Sequence, residues 1–100
     1  MNKTIIWTKR ATSQRKEILK YWINRNKSNR YSTKLNILFG LAADSLSVNP
    51  ELGRITEIEN VRQKIVKSYK LFYKVIESEI FIIALVDMRR DPEEIRKMLK

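Results

Sequence analysis

Residues 62–92 constrain the fold more than any other part of the chain. This stretch reads RQKIVKSYKLFYKVIESEIFIIALVDMRRDP, in which three runs rich in β-branched and aromatic residues are separated by short polar turns. Strands joined by such tight connections pair as antiparallel neighbours. The sequence therefore predicts a three-stranded meander in the C-terminal half of the chain.

Each of the three predicted strands has its own pattern. Residues 61–67 and 69–77 alternate, so Arg62 and Lys64 share one face of the first strand. Residues 80–87 form an almost wholly apolar run. Such a run is typical of an interior strand that is covered on both faces.

Upstream of the meander the sequence predicts one strand and two helices. Residues 3–9 contain β-branched and aromatic residues without a breaker. A first helix begins at Thr12 or Ser13, either of which can cap it, and ends near residue 25. A second helix covers about residues 29–46, with apolar residues at helical spacing. The short polar connection makes the two helices antiparallel neighbours.

Breaker residues define the remaining segments. Residues 48–54 form a loop because Pro50 cannot continue a helix, and residues 55–60 are irregular or a short edge strand. A last short helix begins at Asp91-Pro92, where Asp91 caps it and Pro92 suits its first position. The predicted fold class is α+β, as a single domain over residues 1–100. An N-terminal strand and an antiparallel helical hairpin pack on a C-terminal antiparallel sheet.

The charge of the chain is strongly positive and unevenly distributed. The sequence has 21 Lys and Arg against 11 Asp and Glu, which gives a net charge of +10. Residues 9–30 hold eight basic residues and one acidic residue, and residues 62–74 hold five basic residues and no acidic one. This polarity predicts a partner that is nucleic acid, anionic lipid or an acidic protein.

The absence of His and Cys removes several classes of enzyme. Without His or Cys a zinc enzyme or a Ser-His-Asp hydrolase is nearly excluded, and we expect no metal and no cofactor. The N-terminal apolar segment is too short for a signal peptide, and the longest apolar run is far shorter than a membrane span. We therefore expect a soluble cytoplasmic protein without a membrane partner.

Several weak motifs follow one another along nearly the whole chain. They are, in order, Trp7 in the first strand, Ala11 in the first helix, NPELGR at 49–54, VR at 61–62, YKLFYKV at 69–75 and RRDP at 89–92. In this order they resemble the RelE/ParE superfamily of bacterial toxins from type II toxin–antitoxin modules. The resemblance implies a small toxin that is held inactive by a cognate antitoxin protein.

The superfamily includes two different mechanisms. RelE-like members enter the ribosomal A site and cut mRNA, whereas ParE-like members poison DNA gyrase. We expect ribosome-dependent mRNA cleavage, with gyrase inhibition as the alternative. A nucleic-acid-binding module without toxic activity is a third interpretation.

The cleavage interpretation assigns roles to five basic side chains. By resemblance, Arg62, Lys64, Lys70 and Arg89 lie at positions like those of the basic catalytic residues of RelE-like toxins, and Arg90 supports them in binding nucleic acid. Attack of an RNA 2′-hydroxyl on its own phosphate builds negative charge, which Arg and Lys can stabilise without a metal. The interpretation expects Arg89 to converge on the strand face that carries Arg62 and Lys64.

One departure from the RelE-like pattern counts against cleavage. RelE-like toxins usually carry a tyrosine, or a histidine and a tyrosine, near the C-terminus for acid–base chemistry. The matching region here is RRDPEE at residues 89–94, so only Glu93 or Glu94 offers a substitute. Tyr69 and Tyr73 can stack a base in principle, but their apolar pattern favours packing against the helices.

Overall fold

The predicted order of helices and strands is confirmed by the computed structural model, which describes residues 2–100. The elements are β1 (Thr4–Trp7), α1 (Lys9–Asn26), α2 (Arg30–Val48), β2 (Arg54–Ile55), β3 (Arg62–Val66), β4 (Tyr69–Ile76), β5 (Glu79–Asp87) and α3 (Pro92–Leu99). Helix α1 begins earlier than predicted because Thr8, and not Thr12 or Ser13, is its N-cap. The Thr8 hydroxyl accepts a hydrogen bond from the backbone N–H of Ala11 at 3.2 Å.

The strands form one mixed sheet in the order β1-β5-β4-β3-β2. The pairs β2–β3, β3–β4 and β4–β5 are antiparallel, which confirms the predicted meander. Strand β1 runs parallel to β5 on its other side. Strand β5 therefore lies between two others, as its apolar sequence predicts. Within residues 2–100, none of the helices combines the length and the apolar character needed to cross a membrane.

The two faces of the sheet are covered by different helices. On one face the hairpin of α1 and α2 buries a core that includes Phe39, Leu71 and Tyr73. On the other face α3 packs through Ile95 and Leu99 against a second core. Burial of both faces is the expected result of a sheet whose interior strand β5 presents apolar residues to both sides.

A bulge in β5 changes which face its residues occupy. The register slips between β4 residues Phe72 and Tyr73, which pair with Ala84 and Ile82 and leave Ile83 as the extra residue. Two side chains of α1 form hydrogen bonds with the backbone at the bulge. Arg10 Nε donates to the Ile83 carbonyl at 3.0 Å, and Gln14 Oε1 accepts from the backbone N–H of Leu85 at 2.8 Å. As a result Ile82 and Leu85 both face the hairpin, and the residues beyond the bulge are turned over.

The loop before β2 is fixed by one buried tyrosine. The Tyr73 hydroxyl donates to the Pro50 carbonyl at 2.8 Å and accepts from the backbone N–H of Gly53 at 2.9 Å. A Cβ added at Gly53 would lie 2.6 Å from the Tyr73 hydroxyl oxygen and 2.8 Å from the Gln63 carbonyl oxygen. Glycine is therefore required at position 53 by the close approach of β3 and β4.

Replacing Gly53 with alanine should lower the free energy of unfolding by about 2 kcal/mol, because the new methyl group displaces a buried ring and its two hydrogen bonds. Urea denaturation followed by circular dichroism measures this change.

The other glycine, Gly40, provides the matched control. It lies within α2, and a Cβ added there would be 3.7 Å from its nearest neighbour, Arg15 Nη2, which is an ordinary contact. Gly40→Ala should therefore raise the free energy of unfolding by about 0.5–1 kcal/mol, because alanine is the better helix former. Equal effects of the two substitutions would contradict the structural role of Gly53.

Candidate functional site

The sheet divides the predicted catalytic residues between its two faces. In β3, Arg62 pairs with Tyr73 and Lys64 pairs with Leu71, so both basic residues lie on the face that the hairpin covers. In β4, Lys70 lies on the opposite face, in a groove beside α3. Lys70 therefore does not converge with Arg62 and Lys64.

The two predicted arginines also lie towards opposite ends of the sheet. Arg62 pairs with Tyr73, whereas Asp87 pairs with Tyr69, and these tyrosines are separated by about 13 Å along β4. Arg89 follows Asp87 beyond the end of β5, which places it still further from Arg62. The expectation that Arg89 converges on the face of Arg62 and Lys64 is therefore wrong. The alternation of the strands shows which face a residue occupies, but it does not show that Arg62 and Arg89 lie towards opposite ends of the sheet.

The guanidinium group of Arg62 is engaged in the loop before β2. Its Nη1 donates to the Gly53 carbonyl at 2.8 Å, and lies 3.4 Å from the Glu51 carbonyl. These contacts join β3 to the segment that the Tyr73 hydroxyl also holds. In this arrangement Arg62 stabilises the fold of the loop.

Arg89 and Arg90 lie in a different place, an open groove between α1 and the end of the sheet. We call it the α1 groove; its volume is about 650 Å³. Its polar and aromatic lining residues are Gln14, Glu17, Tyr21, Trp22, Arg25, Ser68, Tyr69, Asp87, Arg89 and Arg90. The groove thus brings together two of the five predicted site residues and adds Arg25 from the helix.

The contributions of Tyr21 and Arg25 were not predicted from the sequence. They are four residues apart in α1, so their side chains lie on the same side of the helix. The Tyr21 side chain is 53% exposed, although the neighbouring Trp22 packs against the core. A large aromatic residue beside the apolar stripe, followed one turn later by arginine, was the signal that could have identified them.

The floor of the α1 groove is an aromatic pair, in which Tyr69 is buried and Trp22 is half-buried. Trp22 Nε1 donates to the Tyr69 hydroxyl at 2.7 Å, and Tyr69 is only 5% exposed. Burial raises the pKa of Tyr69 above its ordinary value, so this phenol stays protonated at neutral pH. Packing of Tyr69 and Tyr73 against the helices agrees with the sequence prediction, and Trp22 and Phe39 belong to the same core.

An ion pair between Arg89 and Asp87 lies at the rim of the groove. Arg89 donates from Nε and Nη2 to the two carboxylate oxygens of Asp87, at 3.1 and 3.0 Å, and its backbone N–H donates at 2.8 Å. These hydrogen bonds hold the pKa of Asp87 below its ordinary value, so Asp87 is ionised at neutral pH. Arg90 lies 3.9 Å from Glu94, a long and exposed contact.

The arrangement suits binding of an anionic partner better than acid–base chemistry. Three arginines exceed the two carboxylates of Glu17 and Asp87 around the groove. Glu93, one of the two substitutes considered for acid–base chemistry, pairs with Arg96 at 3.3 Å on α3 and does not line the groove as the structure describes it.

The architecture is that of a RelE/ParE-like fold, and comparison with known proteins identifies the family. The family model described as "ParE toxin of type II toxin-antitoxin system, parDE" matches residues 5–92, so the chain belongs to this family. A solved structure described as the chromosomal ParDE TA system from P. aeruginosa has a similar fold. Its TM-score is 0.77 at 18% identity, over 87% of this chain and 97% of that chain. None of the curated proteins compared with the chain matches it.

Family membership makes the protein a toxin of a type II system. The expected α+β fold with its N-terminal strand is thereby confirmed. The family also implies an antitoxin as partner.

We predict that Arg89→Ala raises the pKa of the Asp87 carboxyl group towards its ordinary value, as followed by a ¹³C NMR titration. Because the pKa of Asp87 is lowered in the folded state, its ionised form adds stability above the unfolded pKa. That contribution is lost as the pH falls through the folded pKa. The free energy of unfolding of the variant should therefore fall less than that of the wild type as the pH is lowered through this range.

Arg90→Ala, which removes the neighbouring guanidinium, should leave the Asp87 titration unchanged. An Asp87 pKa that does not respond to Arg89→Ala would contradict the assigned cause.

Proposed function

We propose that the protein arrests growth by inhibiting DNA gyrase and does not cut mRNA. The observation that carries this proposal is the separation of the predicted catalytic residues, since Lys70 lies on one face of the sheet and Arg62 and Lys64 on the other. The match of residues 5–92 to the ParE family supports the same choice.

Cleavage of RNA by its own 2′-hydroxyl group requires several groups around one phosphate. The attacking and leaving oxygens must be held in line, and cationic groups must lie close to the developing negative charge. The predicted set occupies two faces and both ends of the sheet, so no single phosphate can contact all of it. Tyr69 also does not provide a general base, because it is only 5% exposed and its raised pKa keeps the phenol protonated at neutral pH.

The α1 groove is the surface that we assign to binding. Arg25, Arg89 and Arg90 present positive charge around it, and Tyr21 adds an exposed ring. Arginine binds carboxylates in a fork geometry, so this surface suits an acidic segment of a protein. In this proposal the groove contacts gyrase, and the antitoxin neutralises the toxin by covering the same arginines.

Ribosome-dependent mRNA cleavage is the alternative function. The specific observation in its favour is the combination of three arginines with the exposed Tyr21 ring, which also suits a single RNA strand. If RNA binds there, the logarithm of its affinity should fall with the logarithm of salt concentration with a slope of about −2, as three phosphate contacts predict.

The first experiment separates the two targets in growing bacteria. After brief induction of the toxin, protein synthesis and DNA synthesis are followed separately by pulse labelling, and mRNA is examined for cuts within codons. The proposal expects an early fall in DNA synthesis with intact mRNA. An immediate fall in protein synthesis with cut mRNA would refute it and support the alternative.

A pair of charge variants tests the assigned surface. Arg89→Ala with Arg90→Ala should raise the toxin concentration needed for half-inhibition of gyrase supercoiling by at least about tenfold, because two guanidinium contacts are lost. Lys16→Ala with Lys20→Ala removes the same charge from exposed positions of α1 that do not line the groove, and should leave inhibition unchanged. Equal losses in both pairs would show a general charge effect and would overturn the assignment of the groove.

A further inference from the structure

The outward side of α2 carries an exposed apolar stripe. Ile37, Leu41 and Val48 are 57%, 59% and 71% exposed, whereas Leu35 and Phe39 on the inward side are fully buried. More than half of each outward side chain is exposed, so the fold of one chain does not cover them. An exposed apolar stripe on a helix is typical of a contact with another helix.

The stripe has the spacing of a coiled-coil seam. Exposed residues follow one another at alternating intervals of four and three along the helix, which corresponds to the a and d positions of a heptad repeat. They are Arg30, Lys34, Ile37, Leu41, Asp44 and Val48. Two charged residues of opposite sign therefore flank an apolar centre.

The charges are placed symmetrically about the middle of the stripe. Lys34 and Asp44 are equally distant in sequence from position 39, and so are Ile37 and Leu41. A two-fold axis beside this position would bring each residue opposite its counterpart in an antiparallel copy of the helix. The stripe is therefore complementary to itself.

We propose that two copies of the chain associate through antiparallel pairing of their α2 helices. Ile37 packs against the partner's Leu41, and Lys34 faces the partner's Asp44, in the layers of an antiparallel coiled coil. At each end the aliphatic part of Arg30 covers the partner's Val48. A parallel pairing would bring like charges together, so the two ion pairs set the antiparallel orientation and the register.

The size of the contact predicts a weak and reversible dimer. Helix α2 has 19 residues and so spans about 28 Å. A contact between two helices of this length is at the low end of specific interfaces, which is the range of transient complexes. The association should therefore depend on concentration and be readily exchanged.

Self-complementarity is the reason for choosing a second copy over the antitoxin. A helix from another protein needs an apolar stripe, but it imposes no symmetry on the charges of this one. Here the two-fold axis that places Ile37 opposite the partner's Leu41 also places Lys34 opposite the partner's Asp44. A second copy of this chain explains both relations at once.

A charge exchange tests the pairing in the full-length chain without antitoxin, measured by sedimentation velocity at concentrations up to about 1 mM. Lys34→Asp or Asp44→Lys alone should weaken the dimer at least about tenfold, because each replaces two opposite-charge pairs by two like-charge pairs. The double variant should restore the wild-type constant to within about threefold. These residues are exposed, so circular dichroism should show an unchanged fold.

The absence of cysteine allows a second test of the same register. Protein with Ile37→Cys and protein with Leu41→Cys, mixed under oxidising conditions, should give the disulfide-linked mixed dimer as the main product. Each variant alone should give much less linked dimer, because a residue does not face its own copy in this register.

Three results would overturn the proposal. The first is a wild-type chain that stays monomeric at the highest concentration. The second is a double variant that fails to restore the association. The third is loss of antitoxin binding in the single variants without recovery in the double variant, which would assign the stripe to the antitoxin. None of these outcomes depends on whether gyrase or the ribosome is the target.

Discussion

The contact between α1 and the bulge in β5 determines how the α1 groove is built. Arg10 and Gln14 satisfy the backbone of Ile83 and Leu85 where the register slips, and the slip turns over the residues that follow. Without the bulge, Asp87 would point to the face of α3. With the bulge, it points to α1 and holds Arg89 at the rim of the groove.

The two buried faces of the sheet explain why the positive charge has several roles. A basic residue in β3 or β4 must lie on the hairpin face or on the α3 face, and the alternation of the strand decides which. Arg62 on the hairpin face supports the loop before β2, whereas Lys70 lines the groove beside α3. Charge that is clustered in sequence is thus distributed in space, whereas Arg89 and Arg90 beyond the end of β5 line the same groove as Arg25 of α1.

Sequence periodicity predicted most of the fold but little of the site. The alternation of β3 and β4 and the apolar run of β5 determine strands, order and buried faces, and these predictions are confirmed. The site depends on features without a periodic signal, which are the single extra residue in β5 and the side of α1 that presents Tyr21 and Arg25. The predicted convergence of Arg62 with Arg89 was wrong because alternation gives the face of a residue but not its distance along the sheet.

The pairing of β1 with β5 has a consequence for how the toxin is made. Thr4 pairs with Glu79 and Trp7 with Ile82, so the first strand to leave the ribosome finds its neighbour only when nearly the whole chain has been synthesised. Closing so long a loop is slow compared with local pairing. The α1 groove is completed after the same strand, at Asp87 and Arg89. The proposed binding surface therefore forms only after β5 has left the ribosome, so a partner can meet the earlier elements before that surface is complete.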